Sequence, residues 1–242
     1  MIAYILNECN DVKLWGNGYM MNRNIDLQVG NRVKVDVDHI SLGYLLIKRT
    51  FDILASVIGL LLLSLPFAVL GIIIKLDDPE GGVFYSQIRL GKNGKEFRMW
   101  KFRSMVVNAD KLVDKLVNQN EIEGAMFKIK DDPRITKIGR FIRKYSIDEL
   151  PQLYNVLCGD MSLVGPRPPL PREVAEYTEY DKQRLAVVPG ATGLWQVSGR
   201  NDVGFDEMVD LDIEYINHAS IWKDLDILFR TVWIVIRPNG AY

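Results

Sequence analysis

The chain has 242 residues, 48% of them apolar, and a formal net charge of −1. That length bounds it to one large domain or two small ones. The near-neutral charge excludes any molecule-wide attraction to a polyanion such as nucleic acid. Two cysteines without CxxC spacing, and two histidines (His39 and His218) far apart in sequence, argue against a zinc centre or a histidine-based triad.

Residues 1–47 say least. Val29, Val33, Val35 and Val37 are evenly spaced around Gly30-Asn31, which reads as a short hairpin or a loosely ordered arm. Residues 53–74 then run twenty-two positions without a charge. At about 1.5 Å per residue a helix of this length reaches across a bilayer core. Lys48 and Arg49 precede it and favour a cytoplasmic N-terminal side, and Asp52 at its edge needs a partner. Pro66, in Ser64-Leu65-Pro66, removes a backbone N–H near the middle. The physics allows either a kinked span or a re-entrant hairpin that returns to the face it entered.

From Val83 the pattern changes. Residues 84–88 and 97–102 read as two strands around a Gly91-Lys92-Asn93-Gly94 turn. Six basic residues and one acidic residue lie between Arg89 and Arg103. A hairpin with one basic face is expected, suited to phosphate or anionic lipid. Residues 106–122 read as a polar helix and 126–129 as a short strand. A short helix over 135–143 turns Ile138, Phe141 and Ile142 inward. Another over 149–157 ends near Gly159. Residues 172–187 read as helical, 193–201 as strand and loop, and 205–217 as an amphipathic helix. Residues 222–236 carry Trp222, Leu225, Phe229, Val232, Trp233 and Ile236 at helical spacing. That suits either a helix in the headgroup layer or one facing a core.

The chemistry-bearing candidates begin with Asp148-Glu149. Ser146, with Glu149 three positions on, fits a capping box, and Pro151 agrees with a helix start. An aspartate in a first turn is held ionised by backbone N–H groups and the helix dipole. An oriented carboxylate can attack phosphorus, and a second can hold Mg²⁺ with substrate phosphates. Acids at helix starts are common, so the pair alone is weak. Arg167, between Pro166 and Pro168, is stiffly presented and suits bidentate phosphate binding. Arg200, in a loop of glycine and asparagine, invites the same reading.

Longer motifs add to these. They are Lys101-Phe102-Arg103-Ser104-Met105, then Arg143 to Leu157 around Ser146-Ile147-Asp148-Glu149-Leu150-Pro151-Gln152-Leu153. Gly165-Pro166-Arg167-Pro168 follows, then Pro189-Gly190-Ala191-Thr192-Gly193-Leu194-Trp195-Gln196-Val197-Ser198-Gly199-Arg200-Asn201. In this order the chain resembles the bacterial sugar transferases, the monotopic phosphoglycosyl transferases, from about Lys48 to about Arg237.

The resemblance implies a mostly helical α+β fold, anchored by one re-entrant, proline-broken helix (48–75) and interfacial amphipathic helices. Residues 1–47 would then be an arm or the remnant of a lost domain, and 76–242 a catalytic domain on the cytoplasmic side of a bacterial inner membrane. The implied reaction passes a hexose 1-phosphate (galactose or glucose) from a UDP-sugar to undecaprenyl phosphate, starting a surface polysaccharide. Asp148 would be the nucleophile and Glu149 the Mg²⁺ residue. Lys101, Arg103, Arg167, Gln196 and Arg200 would bind substrate. A homodimer stays open. The family's break is a Ser-Pro pair; here it is one residue longer. Two rival readings use the same residues: a catalytically silent membrane-docked scaffold, and a Mg²⁺-dependent lipid pyrophosphate hydrolase.

Overall fold

The computed structural model describes residues 34–112, 129, 132–199 and 203–237. These are mostly helical, with two small sheets. Helix α1 (Leu42–Asp77) is capped by Ser41, whose hydroxyl accepts from the Tyr44 N–H. It starts earlier than the charge-free run and stays helical through Pro66. The Ser64 hydroxyl donates to the Leu61 carbonyl at 2.8 Å, close to the gap in the ladder that the proline leaves. The helix is long and apolar enough to cross a membrane.

Its two faces differ. One packs on the rest of the protein along its length, through Leu45, Ser56, Phe67, Gly71 and Ile74. The other leaves Leu54, Ile58, Leu61, Leu62, Leu65, Val69, Ile72 and Leu76 exposed. The charged residues at its foot are buried and partnered. Arg49 donates to the carbonyls of Val156 (2.6 Å) and Leu157 (2.8 Å). Asp52 accepts from the Ser162 hydroxyl (2.8 Å) and the Leu163 N–H (3.0 Å). Lys48 pairs with Asp224 at 2.8 Å. At the far end, Asp77 accepts from the Ile138 N–H at 3.2 Å.

Strands β1 (Phe84–Leu90) and β2 (Glu96–Phe102) form the expected antiparallel hairpin. Its turn places Asn93 and Gly94 at positive φ, conformations that asparagine and glycine tolerate best. The single basic face is not observed. The register pairs Tyr85 with Lys101, Gln87 with Met99 and Arg89 with Phe97, so Lys101 and Arg89 share one face. Arg98 lies on the other and is exposed.

The helix expected from residue 106 does not form over its described part. Met105 bridges to Ile135, Asn108 takes a positive φ, and Ala109–Leu112 is a 3₁₀ turn. Residues 113–128 lie outside the described set, as do the strand expected at 126–129 (apart from Ile129) and the hairpin expected around Gly30-Asn31. Helix α2 (Lys137–Lys144) is capped by Thr136. Ile142 is fully buried, whereas Phe141, expected inward, is exposed and packs on Tyr145 at 5.1 Å.

Helix α3 (Gln152–Cys158) ends at Gly159 with φ 84°, the left-handed C-terminal stop that glycine allows. Strand β3 (Ser162–Val164) pairs in parallel with β4 (Gly190–Thr192). Two expectations fail between and after them. Residues 172–187 are not one helix but α4 (Pro171–Ala175) and a 3₁₀ stretch, Asp181–Ala186. Asp181 accepts from both the Thr178 N–H and its hydroxyl, and that local pairing competes with a helix. Residues 194–198, expected as strand, form helix α5 (Leu194–Ser198), the strand being the shorter β4 before it.

Helices α6 (Phe205–Asn217) and α7 (Ile221–Ile236) follow as expected. In α7 Ile227 is buried while Trp222, Phe229 and Trp233 are exposed. The core that seats α1 joins Phe67 and Ile74 to Phe102 and Ile142. A second cluster around Val164, Leu194, Ile216 and Ile227 holds α5, α6 and α7 on β3 and β4.

Arg49 tests the seam between α1 and α3. Arg49→Met removes the two guanidinium hydrogen bonds to the Val156 and Leu157 carbonyls, a loss of roughly 3 kcal/mol, which for a chain of this size lowers the melting midpoint by roughly 6–12 °C. Thermal melting of the purified protein reads this, with Lys95→Met, at an exposed position, as the unchanged control.

Candidate active site

Asp148 and Glu149 sit in a 3₁₀ turn, Ile147–Glu149, between α2 and α3. Ser146 is not the cap that its spacing suggested. It takes φ 54°, and its side chain caps no turn N–H. A left-handed serine reverses the chain after α2, so the two acids enter the site from a tight corner rather than a helix start.

The pair lines a cavity of about 590 Å³, within the usual size of a small-molecule site. Lys101, Arg103, Arg167 and Gln196 line the same cavity. Arg200 lies outside the described residues. The cavity also takes in Tyr85, Gln87, Arg89, Arg143, Arg172, Glu173 and Trp195, which the sequence reading did not single out as site residues. The strand register carries a signal for some of them. With Tyr85 opposite Lys101, the alternate positions Gln87 and Arg89 fall on the same face.

The two carboxylates have different surroundings. Glu149 accepts from the Lys101 ammonium at 2.6 Å and stays about a third exposed. Asp148 is buried, 8% exposed. Burial pushes its carboxyl up to about 6, Glu149 adds to the rise, and Lys101 and Arg143 oppose it. The expected stabilisation of the charged form is small: a backbone hydrogen bond favours it, and burial outweighs that bond. A three-residue turn has almost no dipole to offer, so desolvation decides.

Cationic groups dominate the walls. Arg89, Lys101, Arg103, Arg143, Arg167 and Arg172 face the three carboxylates Asp148, Glu149 and Glu173. Burial, aided by the nearby Arg167, lowers the Arg89 guanidinium to about 10. Two guanidiniums that repel each other in a sheltered cavity favour an anion between them. Arg103 is more committed. It donates to the Asp78 carbonyl at 2.6 Å, so it also ties the end of α1 to the cavity wall. Arg167 lies over the Trp195 ring, 5.9 Å from its centre. The Gln196 amide points back to the Ala191 carbonyl at 3.5 Å. Among the described residues no group of three or more His, Cys, Asp or Glu side chains could form a metal cage.

The chain's similarity to known proteins agrees with this geometry. A family model described as bacterial sugar transferase matches residues 43–238. The galactosyl transferase CpsE of Streptococcus agalactiae serotype III is 51% identical over 200 residues, 82% of this chain and 44% of that protein. The undecaprenyl-phosphate galactose phosphotransferase of Salmonella typhimurium is 47% identical over 200 residues, 81% of this chain and 42% of that protein. The chain thus spans less than half the length of these two relatives. The exopolysaccharide production protein ExoY of Rhizobium meliloti is 41% identical over 199 residues, covering 81% of this chain and 88% of its own length. With its matched segment running from the start of α1 past the end of α7, the chain belongs to the bacterial sugar transferase family.

Proposed function

We propose that the protein transfers a hexose 1-phosphate from a UDP-sugar to undecaprenyl phosphate, beginning a surface polysaccharide at the cytoplasmic face of a bacterial membrane. The observation that carries this reading is a buried aspartate on the wall of an arginine-lined cavity, beside an exposed apolar helix. The relatives named as galactose transferases support the substrate class.

In the first step an Asp148 carboxylate oxygen attacks the sugar-bearing phosphorus. A phosphorus–oxygen bond to Asp148 forms, the bond to the nucleotide breaks, and UMP leaves. In the second step an oxygen of the lipid phosphate attacks the same phosphorus, freeing the Asp148 carboxylate and leaving a lipid diphosphate sugar. Arg143 and Arg167 neutralise the phosphate oxygens throughout. Glu149, released from Lys101, would hold Mg²⁺, which supplies Lewis-acid stabilisation of the diphosphate when bound.

The seat of α1 fits this reading. Both of its ends bond to the same folded body, through Arg49 near one and Asp77 near the other. This supports a helix with both ends on one side of the bilayer, dipping into one leaflet with its exposed apolar face. The exposed tryptophans of α7 extend that seat into the headgroup layer.

Asp148→Asn removes the nucleophile, and UMP release from UDP-galactose with undecaprenyl phosphate falls by about 10³-fold or more. Full activity in the variant would remove Asp148 from that role. The same variant is more stable than the parent at neutral pH. The folded carboxyl titrates at about 6, above its ordinary 3.8. The folded state therefore holds more protons between those values, and stability declines as pH rises through about 6. In chelator-containing buffer the variant should melt higher at about pH 8 and level with the parent below about pH 4, a difference on the order of 2–3 kcal/mol. Finally, single cysteines at Asp38 and Lys95, in a background without the native cysteines, should label from the cytoplasmic side alike. Labelling from opposite sides would make α1 a true span.

A further inference from the structure

The segment that carries Arg167 is almost all proline: Pro166, Arg167, Pro168, Pro169, Leu170, Pro171. Prolines have no N–H, so the run has mainly carbonyls with which to bond. Four successive carbonyls are each held by a different donor. The Gly190 N–H donates to Pro166 at 2.8 Å, and the Leu90 N–H to Pro169 at 3.0 Å. Between them, Arg184 Nη2 donates to the Arg167 carbonyl at 3.4 Å, and Arg89 Nη1 to the Pro168 carbonyl at 3.0 Å. Pro166, Pro168 and Pro169 are buried and Pro171 is exposed; Arg167 is half-buried and reaches the cavity.

The approach is close on the β4 side. A Cβ on Gly190 would lie 2.1 Å from the Gly165 nitrogen, and one on Gly165 would lie 2.7 Å from the Val188 oxygen. Backbone therefore meets backbone, with no room to slide. Arg184 is itself fixed. It pairs with Asp212 of α6 in a contact sealed from water, and donates to the Tyr177 hydroxyl at 3.0 Å. Asp212 is fully buried and also feels the charge of Arg167. Its charge thus serves both the arginine that grips the loop and the arginine that the loop presents.

We infer that Arg89 and the buried Arg184–Asp212 pair are positioning residues: they clamp the proline run from opposite sides and so aim Arg167 at the nucleotide diphosphate. An ion pair sealed in a core adds little net stability over apolar packing of the same shape, because desolvation offsets its attraction. Geometry at Arg167 gives the pair a use that stability alone does not. The inference rests on the reading that Arg167 binds a substrate phosphate.

The test is a double-mutant cycle on the full chain, purified in detergent. Asp212→Asn keeps shape and removes charge, Arg89→Lys keeps charge and loses the fork, and Arg167→Met removes the presented group. UDP binding is read by calorimetry, and UMP release from UDP-galactose by kcat and KM. Asp212→Asn and Arg89→Lys should each weaken UDP binding about tenfold and raise KM more than they lower kcat. On an Arg167→Met background each should add less than about twofold. Losses that multiply fully in the double variants would overturn the clamp, as would lower melting temperatures with unchanged affinity. If Arg89→Lys does not fold, the Asp212→Asn cycle decides. Wild-type protein that binds UDP but releases no UMP would refute the proposed reaction while the binding cycle still judges the clamp. Protein that binds no UDP would refute both.

Discussion

Charged residues at the foot of an apolar helix have to find their partners in protein, because lipid offers none. Lys48, Arg49 and Asp52 meet that constraint together. Each is buried, and each bonds a different part of the body: Asp224 at the start of α7, the last carbonyls of α3, and the start of β3. Arg49 is a cation at a helix C-terminus, where the orphan carbonyls and the dipole both favour it. Because α3 directly follows the Asp148-Glu149 corner, the bonds that seat α1 also set the depth of that corner relative to the apolar surface. Asp224 adds a second tie. It accepts from Lys48, from the Tyr44 hydroxyl at 2.9 Å and from the Tyr215 hydroxyl at 2.7 Å, fixing the start of α7 against the start of α1. The two exposed apolar faces are therefore held in one frame.

Patterns with long periods were legible in the sequence, and local hydrogen-bond contests were not. The apolar run, the hairpin, α6 and α7 announce themselves because burial repeats over several turns or strand positions. Ser146 shows the opposite case. Ser-x-x-Glu is a sound capping signal, yet here the serine is the corner itself, at positive φ. Nothing in four residues distinguishes a cap from a corner. The stretch 172–187 fails for a related reason: Thr178 and Asp181 satisfy each other locally, and a window average cannot see that pairing. Residues 194–198 have β-like composition around Trp195 and Val197, but tertiary packing on α6 and α7 makes them helical.

The candidate site divides the same way. Asp148, Glu149 and Arg167 are readable through the ordered motifs that resemble the bacterial sugar transferases, since paired acids at a turn and a proline-flanked arginine are each weak alone. Arg89 was not readable by type, since one arginine among six basic residues looks like a solvated face. Its placement depends on register, which the turn geometry sets through Asn93 and Gly94. The expectation of one basic face failed for that reason. Strand alternation splits Arg98 from Arg89 and Lys101, and only the second pair reaches the cavity.

The separation of the two carboxylates follows from burial rather than from sequence order. Glu149 keeps a cation at hydrogen-bond distance and a third of its surface open, so its charge is cheap to hold. Asp148 is shielded from water, with Lys101 and Arg143 only partly offsetting the cost. A carboxylate destabilised in the resting protein gains more than an exposed one when its charge is dispersed onto phosphorus, because the product ester is easier to bury than the anion. In the proposed reaction, the cost of keeping Asp148 ionised becomes reactivity at the oxygen that attacks phosphorus. The surrounding cations keep that cost within bounds without neutralising Asp148, since Lys101, the strongest of them, is engaged by Glu149.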